Sequence, residues 1–179
     1  IQNMRMLIAT LTGPDQVGFV ERVTRLVAEF EGNIEASRMA RLGGEFTMLM
    51  FVAVSEARYE ELESGLQSLG GDSMNVTTRP TSYGDPEGRP GWLPYSVKVN
   101  GADHQGIIHH VSQLLAERGV NVESMDTETV QAPMSGTPLF TMDAVVLVPP
   151  DVSYRDLEKE LDEVADEMNV DVDVEPYRG

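Results

Sequence analysis

The chain has 179 residues, of which 41% are hydrophobic, so it is long enough for one domain or for two small ones. It contains no cysteine, which excludes disulfides, thiolate metal sites and cysteine nucleophiles. Its 30 acidic residues outnumber 13 basic ones, and the resulting net charge of −17 disfavours direct binding to a nucleic-acid phosphate backbone.

The first half of the chain predicts the element order β-α-β-β-α-β. Helices are indicated by apolar residues spaced three and four apart, and strands by alternation or by short apolar runs. Gly43 and Gly44 predict a tight hairpin turn, because glycine reaches the positive φ that two-residue loops require. The predicted elements are a strand at 6–11, a helix at 19–30, a half-buried strand at 34–40, a central strand at 45–54, a helix at 59–69 and a last short strand.

The second half repeats the first. The segment 11–18, LTGPDQVG, returns as 99–106, VNGADHQG, with its two glycines and its aspartate each 88 positions later. Residues 46–48, FTM, return as 140–142, which is 94 positions later. The second copy therefore carries six additional residues, which we expect at 130–137 between two strands. Its remaining elements are predicted as a strand at 95–99, a helix at 107–115, a central strand at 139–148, a helix at 154–164 and a last short strand.

This repeat predicts an α+β fold of two tandem ferredoxin-like βαββαβ domains, each with an antiparallel sheet and both helices on one face. The first domain is expected at 1–80 and the second at 94–179. Between them, 81–93 is rich in proline and glycine and predicts an irregular linker.

The loop before the first helix is a candidate binding site for a small zwitterion. A helix N-terminus offers unpaired N–H groups to a carboxylate, and Gln16, Val17 and Gly18 would supply them. Gly18 would also let a ligand or a neighbouring strand approach the backbone closely. Asp15 could accept hydrogen bonds from an ammonium group. The alternative is structural: Asp15 caps the helix itself, and Gly13 belongs to an ordinary turn.

Each half resembles an ACT domain, a regulatory module that binds amino acids in many proteins. The resemblance rests on the segment 11–18, on Gly32-Asn33-Ile34 and on their counterparts in the second copy. The segment 132–140, APMSGTPLF, is similar to the glycine cleavage system transcriptional repressor-like family. This resemblance implies a cytoplasmic amino-acid sensor that forms homodimers and acts through a partner protein.

The resemblance also implies that Asn33 and Asn121, at the start of a strand facing the loop, contact the ligand. The alternative is that each asparagine occupies a left-handed turn after a helix. The predicted ligand-binding residues are Gly13, Asp15, Gln16, Val17, Gly18, Asn33 and Ile34 in the first copy, and Gly101, Asp103, His104, Gln105, Gly106, Asn121 and Val122 in the second.

No catalytic residue, cofactor or metal site is predicted. The chain has no nucleophile elbow, Walker loop or dinucleotide fingerprint. Although all three histidines lie at 104–110, His109 and His110 are adjacent on a helix and point about 100° apart, which disfavours a shared metal.

The predicted function is a non-enzymatic regulatory protein that binds a small amino acid, with glycine or serine as the first candidates. The alternative is a protein-interaction scaffold whose loops bind no ligand. No apolar run reaches the roughly 18 residues of a membrane span, so no membrane association is predicted. Because the sequence begins with Ile1, the presence of an earlier targeting segment stays open.

Overall fold

The structure, a computed structural model, describes residues 3–81 and 89–179, and all statements below concern these residues. The chain divides into two compact units, residues 1–87 and 88–179, which we call the first and second domains. Residues 82–88 of the predicted linker lie outside the described residues.

Both domains have the predicted element order. The first contains β1 (Met4–Pro14), α1 (Phe19–Glu29), β2 (Asn33–Leu42), β3 (Glu45–Ser55), a 3-10 turn (Glu56–Arg58), α2 (Tyr59–Ser68) and β4 (Asn75–Thr81). The second contains β5 (Leu93–Ala102), α3 (Ile107–Glu117), β6 (Asn121–Gln131), β7 (Pro138–Val148), α4 (Tyr154–Met168) and β8 (Val170–Pro176).

Each domain is one four-stranded sheet covered by helices. The strand orders are β2-β3-β1-β4 and β6-β7-β5-β8, and every neighbouring pair is antiparallel. In the first domain, alternate residues of the central strands, such as Leu7 and Met50, share one cluster with Val23 of α1 and Leu62 of α2. Each such buried aliphatic side chain contributes about 1.5–3 kcal/mol. The predicted tandem ferredoxin-like fold is confirmed.

The two hairpins between the middle strands differ in length. Gly43 and Gly44 connect β2 to β3 with φ angles of 58° and 85°, as predicted for a two-residue turn. The corresponding hairpin of the second domain has six connecting residues, 132–137, so the additional residues lie where the repeat predicted them.

The pattern expected for β2 is interrupted by a β-bulge. Ile34 lies opposite Val52, but Ala36 lies opposite the next residue, Phe51, so Glu35 is the extra residue. Ile34 and Ala36, which the alternation predicted on one face of the strand, therefore lie on opposite faces. A bulge occurs at the same position of β6, between Val122 and Ser124. Within the described residues, no helix combines the length and apolar character needed to cross a membrane.

Candidate functional site

The loop before the first helix of each domain is tied to the neighbouring hairpin in the same way. The N–H of Asp15 donates to the carbonyl oxygen of Gly44 at 3.0 Å, and the N–H of Asp103 donates to that of Pro138 at 3.0 Å. These bonds fix the loop beside the hairpin that joins the two middle strands. The loop conformation is thus set by the domain itself before any ligand arrives.

A glycine precedes each of these helices because the backbone there is left-handed. Gly18 has a φ of 84° and Gly106 a φ of 93°, a region that costs other residues about 1–2 kcal/mol. A Cβ added at Gly18 would have no neighbour within 4 Å. No neighbouring strand uses the close approach expected at Gly18, and the left-handed backbone accounts for the glycine; approach of a ligand there stays a prediction.

The first glycine of each motif has a packing role. A Cβ at Gly13 would lie 2.5 Å from the carbonyl oxygen of Ser73, and one at Gly101 would lie 2.7 Å from Cγ1 of Val170. Real Cβ atoms do not approach other atoms so closely. Gly13 and Gly101 thus let the end of the central strand pass close to the chain that enters the last strand.

The helix N-termini present free N–H groups. The backbone N–H groups of residues 16–18 and 104–106 have no acceptor among the described residues. Together with the positive end of the helix dipole, they favour an anionic group. Asp15 does not cap the helix, so that alternative is wrong: its Oδ2 forms an ion pair with Nε of Arg41 at 2.9 Å.

In the second domain, the loop forms one wall of a cleft of about 690 Å³. The edge strand β6 also lines the cleft, and Ile107 of α3 and Phe140 of β7, both buried, contribute apolar surface to it. Asp103 lines the cleft and has no cation within ion-pair distance among the described residues. The lining residues are Asp103, His104, Gly106, Ile107, Ile108, His109, Ser112, Thr127, Glu128, Thr129 and Phe140.

Two histidines hold this loop in place. Nε2 of His104 lies 2.6 Å from the carbonyl oxygen of Met168, at the end of α4, and Nδ1 of His110 donates to the carbonyl oxygen of Gly106 at 2.7 Å. Both side chains are therefore engaged in bracing the loop. Across the described residues, no group of three or more potential ligand side chains is arranged to hold a metal ion.

The asparagines lie far from the loop of their own domain. Asn33 lies opposite Ala53, whereas the loop is beside Glu45 at the other end of the sheet. At about 3.3 Å per residue, roughly 25 Å of strand separates Asn33 from Arg41. The helix carries the chain from one end of the sheet to the other, so β2 starts away from the loop.

Within one domain, Asn33 and Ile34, like Asn121 and Val122, thus do not lie beside the loop, and their contact with a ligand stays a prediction. The left-handed alternative is also wrong, because the residues with positive φ after α1 and α3 are Glu31 and Gly119.

Each asparagine holds the bulge of its strand instead. Nδ2 of Asn33 donates to Oε1 of Glu35 at 2.8 Å, and Nδ2 of Asn121 donates to Oε1 of Glu123. The two glutamates are the extra residues of the two bulges. The Asn-x-Glu sequence shared by the copies therefore has a structural role in both.

The structure brings Asp103, His104 and Gly106 together in the cleft, and it adds residues that sequence reasoning missed. Thr127, Glu128 and Thr129 belong to β6, whose position beside the loop depends on strand register. Thr129 pairs with Phe140, the counterpart of Phe46 in the repeat, and lines the cleft.

Comparisons with known proteins agree with this architecture. The sequence profile of the ACT domain matches residues 5–79. The glycine cleavage system transcriptional repressor of Escherichia coli is 31% identical over 136 residues, covering 74% of this chain and 69% of the relative. The crystal structure of a protein from Galdieria sulphuraria is 31% identical and has a TM-score of 0.86, covering 98% of this chain and 100% of that one.

A second solved structure, named for a glycine cleavage system transcriptional repressor, has a TM-score of 0.73. It is 24% identical and covers 98% of this chain and 99% of that one, so it supports the fold alone. The element order, the doubled loop and the identity to the Escherichia coli protein lead to one conclusion. The chain belongs to the ACT domain family, as a tandem ACT-domain protein similar to the glycine cleavage system transcriptional repressors.

Proposed function

We propose that this protein is a non-enzymatic regulator that binds a small amino acid in the cleft of the second domain. The observation that carries the proposal is that free backbone N–H groups and a carboxylate without a cation partner among the described residues lie on one loop. The amides of residues 104–106 lie on the same loop as Asp103, which lines the cleft. A zwitterionic amino acid offers the complementary pair of charges.

The ligand carboxylate would accept hydrogen bonds from the N–H groups at the start of α3, where the helix dipole also favours negative charge. The ammonium group would donate to Asp103 in a charge-assisted hydrogen bond. Ile107 and Phe140 would contact the aliphatic part of the ligand. Because His104 already braces the loop against Met168, little conformational entropy would be lost on binding.

Glycine and serine are the first candidate ligands, since the Escherichia coli relative is named for the glycine cleavage system. The regulatory signal would pass to a partner protein, because the net charge of −17 opposes direct contact with nucleic acid. Two-fold association is the commonest state of soluble oligomers, and we propose a homodimer, which light scattering would test.

A thermal-shift screen of the whole chain against the twenty amino acids tests the proposal. A ligand that binds only the folded state stabilises it, by about 2.7 kcal/mol at a hundredfold excess over Kd. We expect selective stabilisation by glycine or serine, and loss of that response in Asp103→Asn. Asp162→Asn removes the same charge from an exposed position of α4 and should keep the response.

If none of the twenty amino acids raised the melting temperature, the sensing function would be rejected. This result would leave the second candidate, a scaffold that binds only proteins. One observation favours a protein contact: the hairpin 132–137 presents Met134 fully exposed. This hairpin is ordered by hydrogen bonds from Ala132 N–H to Thr137 O at 2.8 Å and from Gly136 N–H to Ala132 O at 2.9 Å.

Gly106→Val separates the two candidates. A bulky side chain at this left-handed position should abolish the amino-acid response of a sensor. If the protein is a scaffold, Gly106→Val should bind protein partners as the unchanged chain does.

A further inference from the structure

We propose that the two domains are not equivalent: the second-domain cleft takes the amino acid, while the first domain fills the corresponding space with its own side chains. This inference rests on the proposed function of the second-domain cleft. It assigns the sensing role to one of two related domains, and it follows from a position-by-position comparison of their loops.

Strand pairing shows which residues of the two domains are equivalent. Thr129 lies opposite Phe140 in the second domain, and Arg41 lies opposite Phe46 in the first. Because the two phenylalanines occupy the same place in the repeat, so do Thr129 and Arg41. A short hydroxyl side chain at the cleft of the second domain is thus replaced by a long cation in the first.

Arg41 forms an ion pair with Asp15, the carboxylate on which ligand binding in the first domain would depend. Nε of Arg41 lies 2.9 Å from Oδ2 of Asp15, where a ligand ammonium group would otherwise donate. In the second domain Asp103 has no such partner among the described residues, because Thr129 carries no charge. The first domain therefore contains an internal substitute for the ammonium group of a ligand.

Larger side chains also occupy the first-domain loop region. Met39 stands where the second domain has Thr127, and Phe19 stands where it has Ile107. The rings of Phe19 and Phe46 form an edge-to-face pair with centroids 5.8 Å apart. We infer that this thioether and this aromatic pair leave less room for a ligand in the first domain than the second domain offers.

The backbone of the two loops does not differ in the same way. Both present free N–H groups, both have a left-handed glycine before the helix, and both are tied to the adjacent hairpin through the aspartate N–H. The difference in ligand binding must therefore come from the side chains of the edge strand and of the first helical turn. Exchanging a few surface residues between the domains should therefore change which domain binds the ligand.

The test exchanges the edge-strand residues between the domains in the full chain. Thr127→Met/Thr129→Arg gives the second domain the side chains of the first, and Met39→Thr/Arg41→Thr makes the reverse change. All four positions are exposed, so both variants should fold. Binding of glycine, and then of serine, is measured by isothermal titration calorimetry. In parallel, ¹⁵N NMR spectra follow the amide signals of Gly18 and Gly106.

We expect the unchanged chain to bind one glycine or serine, with shifts at Gly106 and not at Gly18. Thr127→Met/Thr129→Arg should weaken this binding at least about tenfold. Met39→Thr/Arg41→Thr should keep the first equivalent and add a second one, with new shifts at Gly18.

Equal shifts at Gly18 and Gly106 in the unchanged chain would overturn the inference while leaving the proposed function intact. The inference would also be overturned if Met39→Thr/Arg41→Thr lost the binding while Thr127→Met/Thr129→Arg kept it. Absence of binding by every variant would instead reject the proposed function, and the inference with it.

Discussion

At the scale of single residues, the repeat shows the same backbone position filled in two ways. Glu31 follows α1 with a φ of 58°, and Gly119 follows α3 with a φ of 66°. Their N–H groups make equivalent bonds, to the carbonyl oxygens of Ala28 and Ala116, both at 3.0 Å. A left-handed conformation costs a residue with a Cβ about 1–2 kcal/mol, whereas glycine adopts it freely. The first domain therefore carries local strain that the second avoids.

Replacing this glutamate should stabilise the first domain. Glu31→Gly is expected to raise the free energy of unfolding by about 1 kcal/mol, because relief of the left-handed strain exceeds the entropy that glycine adds to the unfolded chain. Urea denaturation measures the change. The matched variant Gly119→Ala should lower stability by a similar amount, and an unaltered midpoint for both would contradict the assigned strain.

Two equivalent tyrosines differ in the partners of their hydroxyl groups. Tyr154 donates to the carbonyl oxygen of Val174 at 2.8 Å, whereas the hydroxyl of Tyr59, a residue only 3% exposed, is buried and has no hydrogen-bond partner in the part of the chain that the structure describes. Tyr154→Phe should therefore cost about 1 kcal/mol, while Tyr59→Phe should be neutral or stabilising. Thermal unfolding of both variants checks this, and an equal loss would argue against it.

The same tyrosines predict sensitivity to alkaline pH. Burial first, and then nearby Glu63 for Tyr59 and Glu158 for Tyr154, raise the pKa of each phenol above its ordinary value of 10.0. The folded chain thus favours the neutral phenol more than the unfolded chain does. Stability should be retained below pH 10.0 and fall as pH rises through the folded-state pKa. The double variant Tyr59→Phe/Tyr154→Phe should lose less stability between pH 10 and pH 12 than the unchanged chain.

At the scale of elements, the bulged edge strands are held by a short-range contact that the sequence repeats. Asn33 donates to Glu35, and Asn121 to Glu123, across the extra residue of each bulge. Because these groups are mostly exposed, each contact should contribute only about 0.5 kcal/mol, the lower end for a hydrogen bond.

Removing the asparagine side chain should loosen the bulge. Asn33→Ala is expected to lower the free energy of unfolding by about 0.5 kcal/mol and to speed amide hydrogen exchange around residue 35. Asn75→Ala, at the exposed start of β4, is the matched control. If both substitutions affected hydrogen exchange near Glu35 equally, the contact would have no special role there.

The sequence predicted these elements well because helical and strand periods are local properties. All four helices and the long middle strands lie where the apolar spacing placed them, and the glycine pair at Gly43 gave the hairpin. The bulge at Glu35 was missed because alternation alone does not reveal an extra residue. The β6 wall of the cleft was missed for a related reason: Thr127 and Thr129 reach the loop only through strand register, which a one-dimensional pattern does not encode.

At the scale of the whole molecule, the negative charge is unevenly divided. Residues 88–179 contain 17 acidic and 6 basic residues, whereas residues 1–87 contain 13 and 7. Many of the acidic side chains of the second domain lie on the exposed faces of α4 and β8. Like charges at this density repel one another in the compact state, so the second domain should be the more sensitive to screening.

Salt should therefore stabilise the second domain more than the first. Raising the ionic strength from about 0.01 M to about 1 M shortens the Debye length from about 30 Å to about 3 Å. Calorimetry of the full chain should show a larger rise in Tm for the transition of the second domain, which tryptophan fluorescence from Trp92 identifies. A uniform rise in both transitions would assign the effect to general salting-out.

The two bulges also bear on how this protein avoids misassembly. The outer edges of β2 and β6 are 10 and 11 residues long, and an uninterrupted edge of that length is a template for fibril growth by strand addition. With Glu35 and Glu123 out of register, an incoming chain can pair with only part of each edge before the hydrogen-bond spacing fails. The duplicated Asn-x-Glu contact holds this interruption in each half, so the uninterrupted edge is confined to residues 36–42 of β2 and 124–131 of β6.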